Sequence, residues 1–310
     1  MTSPKHAHET ENGRYYTRPT DGREFVSVTN ALSVGMAKYG LPLWYARLAA
    51  EYAIEHQGAL MARSLTDRDG AIKEIKEAAE RAKDEAANMG TRVHALAEAH
   101  LLGRTLVPED GDHIARLFID QYEKFLADFE IDLQRDVVAT EMTVCNPSAG
   151  YAGTLDICLR LPLDGFLPGA APKRVDDPER RPIWLIDIKS SLTRSATQCY
   201  PENPLQLTAL KDCTEAWMPD DTIEPMPRPI SGAAVLNLRQ RSYELIPLPT
   251  TDAERKAFRA VATLAQWKHD EWTGEYDYRP IRPSGRFKPK RGTTADQTSP
   301  QREKKQRKVA

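Results

Sequence analysis

The chain has 310 residues, 40% of them apolar, and this composition predicts a globular protein with an ample core. It has no run of about 18 apolar residues, and its polar N-terminus lacks an apolar signal segment, so neither a membrane span nor secretion is expected. The four cysteines include no CxxC pair, which favours a cytoplasmic chain with reduced thiols.

The net charge of −2 hides an uneven distribution of charge. Residues 284–310 hold nine Lys or Arg and two acids, a balance of +7, so the rest of the chain carries −9. An acidic body with a basic tail suits an enzyme whose acids hold metal ions and whose tail attracts phosphates. The alternative is a disordered tail that only adds solubility.

The N-terminal part of the chain predicts helices. Residues 1–22 are polar and are expected to form a flexible N-terminus. Residues 24–32 predict a short extended segment that leads into a helix capped by Ser27 or Thr29. Apolar spacing and Ala-rich composition predict further helices over 43–55, 67–88, 91–102 and 113–130, with Gly90 separating the middle two.

The pattern then changes from helical to alternating. The segment 183–189 (IWLIDIK) is a short apolar run typical of a buried central strand, and Trp44 and Trp184 are expected in the core. The prediction is an α/β fold: one domain over 23–283 whose helical N-terminal part covers about 23–130, followed by a disordered basic tail over 284–310. The remaining predicted elements are strands 137–144, 152–161, 232–238 and 242–247, a long connection 162–182, and helices 203–215 and 252–272.

Two carboxylates and a lysine stand out within the predicted strands. Asp156 lies inside GTLDICL, and Asp187 and Lys189 lie at the end of IWLIDIK. A carboxylate among apolar neighbours is costly unless a cation pairs with it, and a metal ion would relieve the repulsion between two such acids. Lys189 follows Asp187 by two residues, so both point to the same face of a strand. A plain salt bridge between them is the structural alternative.

These motifs resemble the PD-(D/E)XK nuclease superfamily, and most closely its RecB-like exonuclease branch, which includes CRISPR-associated and phage-encoded members. The resemblance covers about residues 24–248. It rests on an ordered set of short matches: SVTNAL followed by Leu43–Trp44, GTRVH at 90–94, Glu141 followed by AGYAG at 149–153, GTLD at 153–156, DIK at 187–189, and Gln206–Leu207.

The resemblance implies a restriction-endonuclease-like core, a small mixed sheet flanked by helices, and roles for particular residues. Asp156 and Asp187 would bind a metal and act in catalysis with Lys189. His94 and the backbone carbonyl of Ile188 would complete the metal site. Supporting or DNA-binding roles would fall to Glu141, Ser190 and Gln206. The cofactor would be Mg²⁺ or Mn²⁺, since imidazole is a good ligand where manganese competes.

The implied activity is metal-dependent hydrolysis of DNA phosphodiesters, by an exonuclease of recombination, repair or phage replication. Expected partners are DNA and a recombination or single-strand-annealing protein, in the cytoplasm, or in the host cytoplasm if the chain is phage-encoded. The alternatives are a structure-specific or restriction-type endonuclease and a non-catalytic DNA-binding protein on the same fold. Leu210 stands where the family often has tyrosine, and the cysteines do not match the iron–sulfur pattern of some relatives, so no cluster is expected.

Overall fold

The computed structural model describes residues 4–38, 40–104, 113–268 and 283–286. Within these residues no helix is long and apolar enough to cross a membrane. The basic tail lies almost entirely outside the described residues. The helices are α1 (Val28–Gly35), α2 (Gly40–Glu55), α3 (Gln57–Ser64), α4 (Arg68–Leu101), α5 (His113–Asp128), α6 (Glu202–Lys211) and α7 (Asp252–Trp267).

The helices flank one mixed β-sheet. Its strands are β1 (Ala7–Thr10), β2 (Gly13–Thr17), β3 (Glu24–Ser27), β4 (Val137–Asn146), β5 (Tyr151–Arg160), β6 (Ile183–Ser190), β7 (Glu215–Trp217), β8 (Ile223–Pro225), β9 (Ile230–Leu238) and β10 (Tyr243–Pro247). The main order is β10–β9–β6–β5–β4–β7–β8, in which the β6–β9 pair is parallel and the others are antiparallel. The predicted α/β class with flanking helices is confirmed.

The edge of β5 that faces β6 is shared between two partners. The second half of β5 pairs with β6 from Ile157 to Arg160, and its first two residues pair with β3 instead. β3 continues into β2 and β1, so the N-terminal hairpin forms a branch of the sheet. Between β3 and β6, the residues around Asp156 pair with no strand of the described chain on that edge. The sheet therefore opens at the middle of β5.

Each face of the sheet is covered by a different set of helices. The α1, α6 and α7 helices pack on one face, where Leu32, Leu207 and Phe258 are buried. The α4 and α5 helices pack on the other face, which includes the fully buried Trp184 and Phe118. Burial of apolar side chains on both faces stabilises the central strands by about 25 cal/mol per Å² of apolar surface removed from water.

Two expectations about local structure were wrong. Residues 1–22, expected to be flexible, include the β1–β2 hairpin, because Tyr15 and Tyr16 are buried in the sheet and Gly13 takes the positive φ that the turn needs. The helices predicted on either side of Gly90 are one continuous α4. A helical glycine costs only about 1 kcal/mol relative to alanine, and packing of its neighbours Met89 and Val93 outweighs that cost.

Candidate metal and catalytic site

Three acids lie side by side across three neighbouring strands. In the antiparallel register of β4 with β5, Thr140 pairs with Ile157 and Met142 with Leu155, which places Glu141 opposite Asp156. Continuing the register of β5 with β6 by one residue places Asp187 on the other side of Asp156. The two aspartates singled out by the sequence therefore meet, as predicted, at the point where the sheet opens.

A small cavity of about 130 Å³ occupies this opening. The N-terminal end of α1 lies at this cavity. Its cap residue, Ser27, lines the cavity and accepts a hydrogen bond from the Asn30 amide at 2.9 Å. α6 contributes a glutamine from the opposite side. The polar side chains that line the cavity include those of Ser27, Glu141, Asp156, Asp187, Lys189 and Gln206.

His94 reaches this cluster from α4. Its Nε2 lies 2.9 Å from the carbonyl oxygen of Ile188, which can only accept, so Nε2 carries the proton and donates. Its Nδ1 lies 3.5 Å from Oδ2 of Asp156 and 4.0 Å from Oε1 of Glu141, and it is buried with no hydrogen-bond partner among the described residues. With the proton on Nε2, the lone pair of Nδ1 faces the carboxyl groups of Asp156 and Glu141, an arrangement that a cation bound between them would stabilise.

A second set of contacts surrounds Asp187. Lys189 Nζ lies 2.9 Å from Oδ1 and 2.7 Å from Oδ2 of Asp187, and Gln206 Nε2 donates to Oδ1 at 2.8 Å. Nearby, the Ile188 amide donates to Oδ2 of Asp156 at 2.7 Å. The two aspartates are thus held differently: Asp156 faces the imidazole, and Asp187 faces the ammonium and the amide.

Burial and mutual repulsion shift the protonation of these acids. Burial, followed by the charges of Asp156 and Glu98, raises the pKa of Glu141 to about 8. Burial also raises the pKa of Asp187, although the neighbouring Lys189 opposes the rise. For Lys189, burial works against the charged form, but the carboxylates of Asp187 and Asp156 outweigh it and leave its pKa above the ordinary value. The lysine is therefore an ammonium at neutral pH.

His94, Glu141 and Asp156 are the described residues that fit a metal ion. Each offers one ligand atom, and the three atoms lie within 4.8 Å of one another. Carboxylate oxygens suit Mg²⁺ and Mn²⁺, and an imidazole nitrogen favours Mn²⁺. The other two predicted ligands, the Ile188 carbonyl and Asp187, do not belong to this group of three. The Ile188 carbonyl accepts a hydrogen bond from His94, and the Asp187 carboxylate contacts Lys189 and Gln206.

Two further positions from the sequence motifs are Ser190 and Leu210, of which only Leu210 lines the cavity. Ser190 lies beyond the cavity and lines the neighbouring groove. Leu210, which replaces the family's usual tyrosine, is buried in α6 against Gly153 of β5. A Cβ added to Gly153 would lie 2.8 Å from Leu210 Cδ2, so the glycine permits the close approach of α6 to the strand.

Two side chains of the N-terminal hairpin also line the cavity and were missed in the sequence. Tyr16 bonds through its hydroxyl to Oγ1 of Thr154 at 2.9 Å, and Arg14 lies beside it while paired with Glu9 at 2.7 Å. The signal was the adjacent pair of strand-favouring tyrosines in GRYYT, which the polar residues around it obscured. No protein-family model matches the chain, and no curated protein sequence matches it either.

Proposed function

We propose that this chain is a metal-dependent nuclease that hydrolyses DNA phosphodiesters on a restriction-endonuclease-like core. The observation that carries the proposal is the buried Nδ1 of His94, which faces the carboxylates of Asp156 and Glu141 a short distance from the Asp187–Lys189 pair. Such a grouping combines a candidate cation site with an ammonium, and each can stabilise the charge that develops on phosphate oxygens during phosphodiester hydrolysis. The order of the sequence motifs supports the same assignment.

A divalent ion held by His94, Glu141 and Asp156 would polarise a phosphoryl oxygen and activate water. The carbonyl of Ile188 orients His94 by accepting from Nε2, and so directs Nδ1 towards the carboxylates. The Ile188 amide likewise fixes Oδ2 of Asp156. One short segment of β6 thus positions two ligands, which makes their geometry insensitive to motion of the surrounding loops.

Lys189 supplies a positive charge next to the place where the phosphate of the substrate would bind. Its Nζ is held by Asp187, and both side chains stand on the same face of β6. An ammonium in a partly buried site stabilises the negative charge that develops on the phosphoryl oxygens and orients the attacking water. Gln206 anchors Asp187 from α6 and so fixes the direction of the lysine. Among the nucleases that could use such a site, the resemblance of the sequence motifs to the RecB-like branch favours an exonuclease.

The test is cleavage of linear and circular DNA in the presence of Mg²⁺, Mn²⁺ or EDTA, with Lys189→Ala beside the unaltered protein. We expect loss of linear DNA with either metal, no loss in EDTA, and a rate at least about a hundredfold lower for the variant. Lys211→Ala is the matched control, because Lys211 is a half-buried lysine that donates to Thr250 at 3.1 Å and does not line the cavity.

The outcomes separate the alternatives. Removal of linear DNA alone supports an exonuclease, whereas cutting of circles supports a structure-specific or restriction-type endonuclease. DNA binding without cutting under all three conditions would overturn the enzymatic proposal in favour of a DNA-binding protein. Equal activity in Lys189→Ala and Lys211→Ala would remove the lysine from the mechanism.

A further inference from the structure

A groove of about 620 Å³ opens directly beside the catalytic cavity. The two share Thr29, Lys189 and Gln206, so they are continuous. One wall of this entry groove is formed by α2 and α4, and the other by the segment between β6 and α6 with the end of β9. Its volume lies within the range of about 300–1,000 Å³ that holds one small organic ligand, which suits one or two nucleotides and not a turn of duplex.

Aromatic side chains stand on both walls of the entry groove. Trp44, expected in the core, is only half-buried on α2, and Tyr200 is 40% exposed on the opposite wall. Leu48 and Met89 add apolar surface near them. A base can stack on such a ring only after it has left its own helix, because the faces of paired bases are covered by their neighbours. The aromatic groups therefore select for unpaired bases.

Cations line the same groove. Lys38, Lys189, Arg194 and Arg239 face Glu202, the single carboxylate in the described lining. Arg239 is buried and donates to the backbone carbonyls of Arg194 at 2.7 Å, Ser195 at 2.8 Å and Lys189 at 3.2 Å. Among the described residues no carboxylate forms an ion pair with it, so its charge is not neutralised within the fold. The groove thus has a positive field suited to a phosphate backbone.

We propose that the entry groove holds the unpaired end of a DNA strand and leads its phosphodiester to Lys189, so that the chain acts on single-stranded or frayed ends. This inference rests on the proposed function and deepens it by naming the form of the substrate. Trp44 and Tyr200 stack on successive bases, and Lys38 and Arg194 contact the phosphates between them. Arg239 holds the segment from Lys189 to Ser195 in place as the wall of the groove.

The test is equilibrium binding of a labelled oligothymidylate and of a blunt duplex of the same length, measured by fluorescence anisotropy in EDTA. We expect the single strand to bind more tightly than the duplex, and Trp44→Ala and Tyr200→Ala each to weaken its binding by roughly tenfold. Arg194→Ala should reduce the slope of log Kd against log salt concentration by about 0.7. The matched control is Trp267→Ala, since Trp267 is 46% exposed on α7 and does not line the groove.

Duplex binding as tight as single-strand binding would overturn the proposal, as would unchanged Kd values in all three groove variants. The thermal transition of each variant shows whether it has folded, and Arg194, being exposed, gives a readout that does not depend on packing. Because EDTA prevents cleavage, the two proposals can fail separately. Single-strand binding that the variants weaken, without cutting when Mn²⁺ is added, supports the groove and overturns the nuclease. Cleavage of DNA with Mn²⁺, together with equal binding of single-stranded and duplex DNA in EDTA, supports the nuclease and overturns the groove proposal.

Discussion

Both the backbone conformation and the side-chain environment of Glu141 are energetically unfavourable. Its backbone has φ of 45° in the middle of β4, a left-handed conformation that a non-glycine residue adopts only at a cost of about 1–3 kcal/mol. Its carboxyl is half-buried opposite Asp156, and burial raises its pKa to about 8. Backbone strain and a displaced pKa at one residue are typical of a functional site, and a cation bound there would offset the electrostatic cost of the charged carboxylate.

The charge of Glu141 predicts an unusual dependence of stability on pH. The folded pKa, about 8, lies above the ordinary value of 4.5, so between these values the folded chain binds a proton that the unfolded chain lacks. The contribution of Glu141 to stability is therefore fully present below about pH 4.5 and is lost as the pH rises through about 8. In EDTA near pH 9, we expect Glu141→Gln to be more stable than the unaltered protein by on the order of 1–3 kcal/mol.

Thermal melts at low and high pH, with EDTA or with Mn²⁺, check this prediction. The unaltered protein should gain Tm on addition of Mn²⁺, because an ion bound only by the folded state stabilises it, and Glu141→Gln should gain less. Glu224→Gln is the control, since Glu224 is exposed on β8. Melting curves that shift in parallel with pH for all three proteins would contradict the assignment of Glu141.

Gln206 is expected to act through Asp187. Its amide and the Lys189 ammonium share Oδ1 of Asp187, at 2.8 and 2.9 Å. A hydrogen bond to a charged group contributes about 1.5–3 kcal/mol, so Gln206→Leu should lower kcat by roughly tenfold or more while leaving the metal-dependent rise in Tm intact. Gln134→Leu, which changes an exposed glutamine, should behave as the unaltered protein does. A rise in KM with kcat unchanged would instead place Gln206 in substrate binding.

At the scale of elements, the site depends on the close approach of α6 and α1 to β5. A Cβ on Gly153 would lie 2.8 Å from Leu210 Cδ2 and 3.2 Å from Val28 Cγ2. We expect Gly153→Ala to cost about 1–3 kcal/mol of unfolding free energy through overpacking. Leu210→Ala alone should cost about 2–5 kcal/mol by leaving a cavity, and the double variant should cost less than the sum. Urea denaturation measures all three, and strictly additive losses would show that the two side chains do not compete for space.

The elements that were best predicted from the sequence are those whose apolar pattern is clear because they are buried against neighbouring elements. β6 was recognised because an eight-residue strand buried on both faces leaves a continuous apolar run, and Ser27 was one of the two residues predicted to cap α1, the other being Thr29. β7 and β8 were missed because strands of three residues carry too few side chains to show an alternation. β7 pairs with β4, and β8 pairs in turn with β7, so both strands extend a sheet whose visible pattern lies in β4.

The candidate site was predicted in part for a related reason. Asp156, Asp187 and His94 stand in local motifs, so their residue types and spacing were visible in the sequence. Which of these side chains place their ligand atoms close together depends on the direction in which each side chain points. That direction is determined by long-range contacts, such as the hydrogen bond of His94 to the Ile188 carbonyl. The groove residues Trp44 and Arg239 come from distant parts of the chain, so only the fold brings them together.

At the scale of the whole molecule, the charge is divided between an acidic body and a basic C-terminal tail. Residues 284–310 carry +7 and the remainder −9. We expect deletion of residues 284–310 to weaken DNA binding at low salt and to flatten its salt dependence, because fewer counterions are released on binding. The turnover rate at saturating DNA should stay unchanged. Anisotropy titrations over a series of salt concentrations measure the effect, and identical slopes with and without the tail would favour the solubilising alternative.

The parallel pairing of β6 with β9 has a consequence for when the site forms during synthesis. Asp187 and Lys189 lie beside Val235 and Asn237 of β9, and Arg239 just beyond it donates to the Lys189 carbonyl. Parallel neighbours need a long connection between them, so β9 leaves the ribosome well after β6. A nascent chain that ends before β9 holds its lysine on an unsupported strand edge. The Asp187–Lys189 pair therefore gains its second neighbouring strand only after residues 191–229 have been synthesised.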